Sequence, residues 1–300
     1  MKFKKTFYLI IILILISGCT NNKKNNTEIK ILDKAPSTLE DIYKDISKVL
    51  DGVGTIERIN LDIDFKNEDK STDKQSGEES SSREESKNPQ DLQSGTGNME
   101  KSESQNSSDK ESQDSNKSSS SSEDKIDEKI KTSWKDVDKS LESIYLKWSE
   151  YESDGIKKGV SKDRVSQLKD SINKMTKSVE ERNMIGTYEF GSLSLLNLKP
   201  LFNLYKDDYR GEICDLKYSI YQYYIKAISN DKEGALNAVA SKEENINKIR
   251  LLIGDDEKKT KELEKVSTQL ENLDISLNED SKRVYILEKD TLIKNLESLE

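Results

Sequence analysis

The stretch WKDVDKSLESIYLKWSEY, residues 134–151, decides the fold class. Its large apolar side chains fall at Trp134, Val137, Leu141, Ile144, Trp148 and Tyr151, with steps of three and four residues. That spacing draws one apolar stripe along a helix, and between its members stand Lys135, Asp136, Asp138, Lys139, Glu142 and Glu150. A heptad-type seam of this kind closes by packing on other helices.

The chain downstream repeats the pattern. Gly155 and Gly159 break the first helix, and Ser161 is placed to cap a second, whose seam is Val165, Leu168, Ile172, Met175 and Val179. A third stretch, about 184–205, is apolar on most sides and so belongs at the centre of a domain, with Pro200 expected to kink or divide it. Four further helices are read: one at about 211–229, one at about 232–253 with Gly254 placed to end it, one on the seam Leu263, Val266, Leu270, Leu273 and Leu277, and one from about Ser281 onward. The expectation is an all-α antiparallel bundle of six to seven helices over residues 126–300, because short connections favour antiparallel neighbours.

Upstream, Leu39, Ile42, Ile46 and Val49 mark a short helix at about 37–51, with Gly52 and Gly54 as its stop. Ile59, Leu61, Ile63 and Phe65 then alternate with polar residues, the period of a short strand within 37–65. Residues 66–125 are dominated by Ser, Glu, Asp, Lys, Gln and Asn, and carry nine basic and fifteen acidic residues. With Leu92 and Met99 as its large apolar residues, this acidic linker cannot offset the entropy of ordering and is expected to be disordered. A coil of that length spans roughly 40–45 Å, and reads equally as a spacer that lifts the bundle away from an anchor or as an insertion with no length requirement.

The anchor is read at the start of the chain. Lys2, Lys4 and Lys5 precede an apolar run from Phe7 to Ile16, followed by Ile16-Ser17-Gly18-Cys19. A basic start, a short apolar core and small residues form a signal-peptide pattern, and the apolar run is shorter than the about 20 residues of a spanning helix. With Cys19 after the small residues, it resembles a bacterial lipoprotein signal with its lipobox. The resemblance implies a signal peptide over residues 1–18, cleavage between Gly18 and Cys19, and a diacylglyceryl thioether on Cys19. Two acyl chains hold stably, so the chain is expected on the extracellular face of the cell membrane, with residues 19–36 as a tether.

Composition narrows the function classes. The net charge is −9, and −12 once the three signal lysines are gone, which argues against nucleic acid and against adsorption to anionic lipid. The chain has no His, which removes His-dependent triads and His metal ligands. Besides Cys19 there is only Cys214, read as a small buried residue without a disulfide partner.

The order of Trp134, Trp148 with Tyr151, Gly155, Gly159-Val160-Ser161 and the leucine-rich third helix ending at Tyr205 is similar to a group of lipoproteins of low-GC Gram-positive bacteria whose C-terminal domain has no known function. The similarity covers about 131–255. It implies a helical bundle at the cell surface and carries over no site.

For a ligand or partner surface the candidates are Tyr205, Tyr209, Tyr218, Tyr221 and Tyr224, joined by Tyr223, because a phenol offers a stacking face and a polar tip. The plainer reading of the same rings is core lining with hydroxyls at the edge. Carboxylates such as Glu142, Glu150 and Glu264 fall on solvated helix faces, and Asp255-Asp256-Glu257 reads as helix capping rather than a Ca²⁺ loop. No phosphate loop or nucleophile elbow is present. The sequence thus points to a non-catalytic surface lipoprotein, without metal or cofactor, that engages an envelope protein or itself. The alternatives are an extracytoplasmic ligand-binding or sensory module and a wall-polymer hydrolase.

Overall fold

The computed structural model describes residues 34–75, 122–206 and 208–300. The lipobox, Gly18 and Cys19 lie outside them. The described residues form ten α-helices and no strand: α1 (Ser37–Gln75), α2 (Ser122–Lys157), α3 (Lys162–Glu180), α4 (Met184–Phe202), α5 (Arg210–Ile228), α6 (Lys232–Ala238), α7 (Lys242–Ile253), α8 (Glu257–Glu271), α9 (Leu273–Asn278) and α10 (Lys282–Glu297). None of them is long and apolar enough to cross a membrane.

The strand expected over residues 59–65 is part of α1, and Gly52 and Gly54 lie inside that helix rather than ending it. The physical reason is a longer seam: Leu39, Ile42, Ile46, Val49, Val53 and Ile56 keep the three-four spacing across both glycines, and all six are buried. Gly52 also serves packing, since a Cβ there would lie 2.5 Å from Val137 Cγ2 of α2.

Helices α1 and α2 pack antiparallel along much of their length. Asp45 accepts hydrogen bonds from Ser143 and Lys147, both at 2.7 Å. Further along, Gly52 faces Val137, and Thr55 and Ile59 share a hollow with Lys129 and Ser133. Leu39 and Tyr43 join Trp148, Leu198 and Leu296 in one continuous core, so α1 belongs to the same bundle as the C-terminal helices. Helix α1 thus packs on the helices that follow residue 122. Residues 66–75 close α1 and 122–125 open α2, while 76–121 lie outside the described residues.

Helix α4 is central as expected, packed on α1, α3 and α5. Pro200 does not divide it, because the proline falls in the last turn and the helix ends two residues later at Phe202. The helix read as single at 232–253 and the one carrying the Leu263–Leu277 seam are each broken, at Val239–Ser241 and at Asn272, which raises the number of helices from residue 122 onward to nine. The caps match their sequence signals. Ser161 accepts from Arg164 N, Asp256 from Lys258 N and Lys259 N, and Ser281 from Val284 N. Gly254 ends α7 with φ +58°.

Candidate functional site

Two charged side chains lie deep in the bundle. Glu57 of α1 and Lys289 of α10 are 3% and 2% exposed, and Lys289 Nζ stands 3.3 Å from Glu57 Oε2. The phenol of Tyr188, from α4, donates to Glu57 Oε2 at 2.8 Å, and that of Tyr224, from α5, donates to Glu57 Oε1. Lys289 also donates to Tyr188 Oη at 3.1 Å and pairs with Asp290 at 3.2 Å. Its Nζ lies 4.4 Å from the Tyr188 ring centroid, 4.7 Å from Tyr224 and 6.0 Å from Tyr221, within cation–π range of all three. Tyr188 and Tyr221 stack at 5.3 Å. Burial, and after it the Glu57 charge, pushes the phenols of Tyr188 and Tyr224 well above the usual tyrosine range, so both remain hydrogen-bond donors.

Of this group, Lys289 and Tyr221 line a cleft of about 330 Å³ between α1 and α10. Helix α1 contributes Asp51, Gly54 and Arg58, α5 contributes Tyr221, and α10 contributes Asp290, Lys294 and Glu297. Arg58 pairs with Asp290 at 2.5 Å. Gly54 lies against the buried group: a Cβ there would meet Tyr188 Oη at 3.5 Å and Lys289 Nζ at 3.8 Å, ordinary contact distances. The Asp51 carboxyl stands at the mouth, exposed on its outer side, where crowding by the cleft wall first, and then the Glu297 charge, raises its pKa to about 6. Next to the cleft Lys217 is a second buried lysine, 3.4 Å from both Glu297 and Glu300 and 4.9 Å from the ring centroid of Tyr43.

The five tyrosines singled out in the sequence do not share one surface. Tyr224 is fully buried and committed to Glu57. Tyr221 is 3% exposed and lines the cleft. Tyr209 donates to Leu299 O at 2.6 Å and accepts from Lys259. Tyr218 is half-buried, with Glu189 and Asp215 as its charged neighbours. Tyr205 is buried beneath a shallow groove lined by Asn203, Lys248, Leu251 and Leu252, and its hydroxyl has no hydrogen-bond partner. Tyr223 is buried and donates to Leu273 O at 2.8 Å. Trp148 is buried, whereas Trp134 is half-buried beneath the Arg182 guanidinium, 4.6 Å away. Cys214 is fully buried and free, and burial pushes its thiol up, away from the reactive thiolate.

Glu57, Tyr188 and Lys289 escaped the sequence reading. One signal did exist: Lys289 occupies the place between Tyr285 and Leu292 where the α10 seam calls for an apolar residue. Lys217 fills the same kind of place between Ile213 and Ile220.

No protein-family model matches this chain, and no curated protein or solved structure matches it either.

Proposed function

We propose that the protein is a non-catalytic lipoprotein, anchored through Cys19 to the extracellular face of the cell membrane, whose helical bundle docks a protein of the cell envelope. The lipobox at Ile16–Cys19 and the short apolar run before it support the anchor. The observation that carries the docking role is the groove above Tyr205. Leu251 is 82% exposed and Leu252 is 39% exposed on α7, beside Asp208, Glu212 and Lys248. An apolar centre with a charged rim is the composition of a protein–protein contact. The non-catalytic reading is supported by how the interior carboxylates are used. Glu57 receives two phenols and an ammonium, and Asp45 two ammoniums and a hydroxyl.

Crosslinking of the lipidated protein in cells, followed by purification and mass spectrometry, tests this reading. One or two envelope proteins should be enriched, and both Cys19→Ala and Leu251→Glu should lose them. Recovery of the mature chain in the cytoplasmic fraction would overturn the anchor. Neighbours that are unchanged in Leu251→Glu would overturn the groove.

A further inference from the structure

Lys289 and Glu57 hold an amine nitrogen and a carboxyl group in contact, away from bulk water. Their side chains are 2% and 3% exposed, and Nζ stands 3.3 Å from Oε2. The two oxygens of the carboxyl are bonded by different phenols: Tyr224 donates to Oε1, and Tyr188 donates to Oε2 at 2.8 Å. Tyr188 also accepts from Lys289 Nζ at 3.1 Å, so its hydroxyl bridges the nitrogen and the carboxyl oxygen. Lys289 lines the cleft between α1 and α10, which gives a molecule of water a way out.

We propose that Lys289 Nζ and Glu57 Cδ condense to an amide that ties α10 to α1. One ammonium proton passes to Glu57 Oε2, which turns the pair into amine and acid. The freed nitrogen lone pair adds to Cδ, forming the C–N bond as the C=O bond to Oε1 opens to an oxyanion. The Tyr224 phenol already points at that oxygen, the placement by which a fixed donor stabilises developing charge. Tyr188 takes a second proton from the nitrogen while giving its own to the Oε2 hydroxyl. The C–O bond then breaks, the carbonyl re-forms, and water leaves. An ammonium and a carboxylate become an amide and one water, with no oxidant and no other reactant consumed.

Three features favour the step. Contact between the groups makes the condensation intramolecular. Exclusion of water protects the amide from hydrolysis. A neutral amide also ends the cost of keeping two charges in the interior. The bond would close the chain between positions 232 residues apart and restrict the unfolded state as a disulfide does. No disulfide does so among the described residues, where Cys214 is free. Because the chain acts once, on itself, the proposal depends on neither the lipid anchor nor the groove above Tyr205.

Tryptic digestion and mass spectrometry of the full chain test it. Trypsin cuts after Lys and Arg, so an unlinked chain yields Val49–Arg58, Val284–Lys289 and Asp290–Lys294 as separate peptides. An amide at Lys289 blocks that cut. The expected product is Val49–Arg58 joined to Val284–Lys294, lighter by one water than the two peptides together. Its share should rise with time after synthesis. Tyr224→Phe and Tyr188→Phe, each keeping its ring, should slow that rise about tenfold or more. A thermal melt confirms that each variant folds. The parent digest alone decides whether the bond forms: only separate peptides in chains aged until the digest no longer changes would overturn the proposal. Linked peptide that rises equally fast in both folded phenylalanine variants would overturn the assigned chemistry.

Discussion

Lys289 Nζ of α10 lies 3.3 Å from Glu57 Oε2 of α1, with both side chains almost wholly buried although they stand 232 positions apart in the chain. Burying two charges is expensive, and the pair is tolerable here because Tyr188 and Tyr224 donate to the carboxylate while their rings face the ammonium. Removing one partner strands the other. Lys289→Met or Glu57→Gln alone should each cost about 3–5 kcal/mol. The double variant should cost clearly less than the two added together, because it leaves no uncompensated charge. Urea unfolding of the four proteins checks this, and strict additivity would mean that the pair is not coupled.

The second prediction concerns α1. Leu39, Ile42, Tyr43, Ile46, Val49, Leu50, Val53 and Ile56 are eight buried apolar side chains contributed by this helix alone. At about 1.5–3 kcal/mol each, their burial amounts to about 12–24 kcal/mol, as large as or larger than the roughly 5–15 kcal/mol by which a domain is stable. A chain beginning at residue 122 should therefore lack a cooperative melt and bind hydrophobic dyes. By contrast, cutting the full chain at a protease site introduced between 76 and 121 should leave the two pieces associated on gel filtration. Separation of the pieces would show that α1 adds little to the core.

What the sequence disclosed and what it hid follow from the range of the interactions. The 134–151 seam was readable because a helical stripe is local, and Val137, Ile144, Trp148 and Tyr151 are indeed almost fully buried. The strand over 59–65 was a misreading of alternation in a region already set by the longer ladder from Leu39 to Ile56. Two glycines hid that continuity, since glycine ordinarily weakens a helix. The buried Glu57–Lys289 pair left only a trace, a lysine on an apolar stripe, because its partner depends on which helices meet. The tyrosines were visible as a cluster in sequence, yet tertiary packing sends Tyr205, Tyr209 and Tyr221 to different places.

The two glycines of α1 should respond oppositely to alanine. At Gly52 the new Cβ would come within 2.5 Å of Val137 Cγ2, on a β-branched side chain that has little rotamer freedom in a helix. Gly52→Ala should cost about 1–3 kcal/mol through overpacking, despite its better helix propensity. At Gly54 the nearest atom would be Tyr188 Oη at 3.5 Å, an ordinary contact. Gly54→Ala should be neutral or stabilising by up to about 1 kcal/mol, the propensity gain. Chemical denaturation of the two variants separates them, and equal effects would show that α1 and α2 do not approach this closely at Gly52.

Six residues apart on α1, Asp45 and Asp51 should give opposite pH dependences. Burial alone would raise the Asp45 pKa, but hydrogen bonds from Lys147, Lys48 and Ser143 outweigh it and hold the carboxyl below the usual carboxylate range. Its stabilisation is therefore present at neutral pH and is lost as pH falls through the folded-state pKa. Asp45→Asn should destabilise the protein by about 1.5–3 kcal/mol near pH 7, and by progressively less in strong acid. Asp51 has a folded pKa of about 6, above the ordinary carboxylate value of 3.8. Between those two values the folded chain binds more protons than the unfolded one, so stability falls as pH rises through that window. Asp51→Asn should then stabilise the protein near pH 7, by no more than about 1 kcal/mol because the side chain is open to solvent, and should match the parent near the lower end of the window. Thermal melts of both variants across this range provide the check. A destabilising Asp51→Asn at neutral pH would mean that the carboxylate has a stabilising partner in the folded chain.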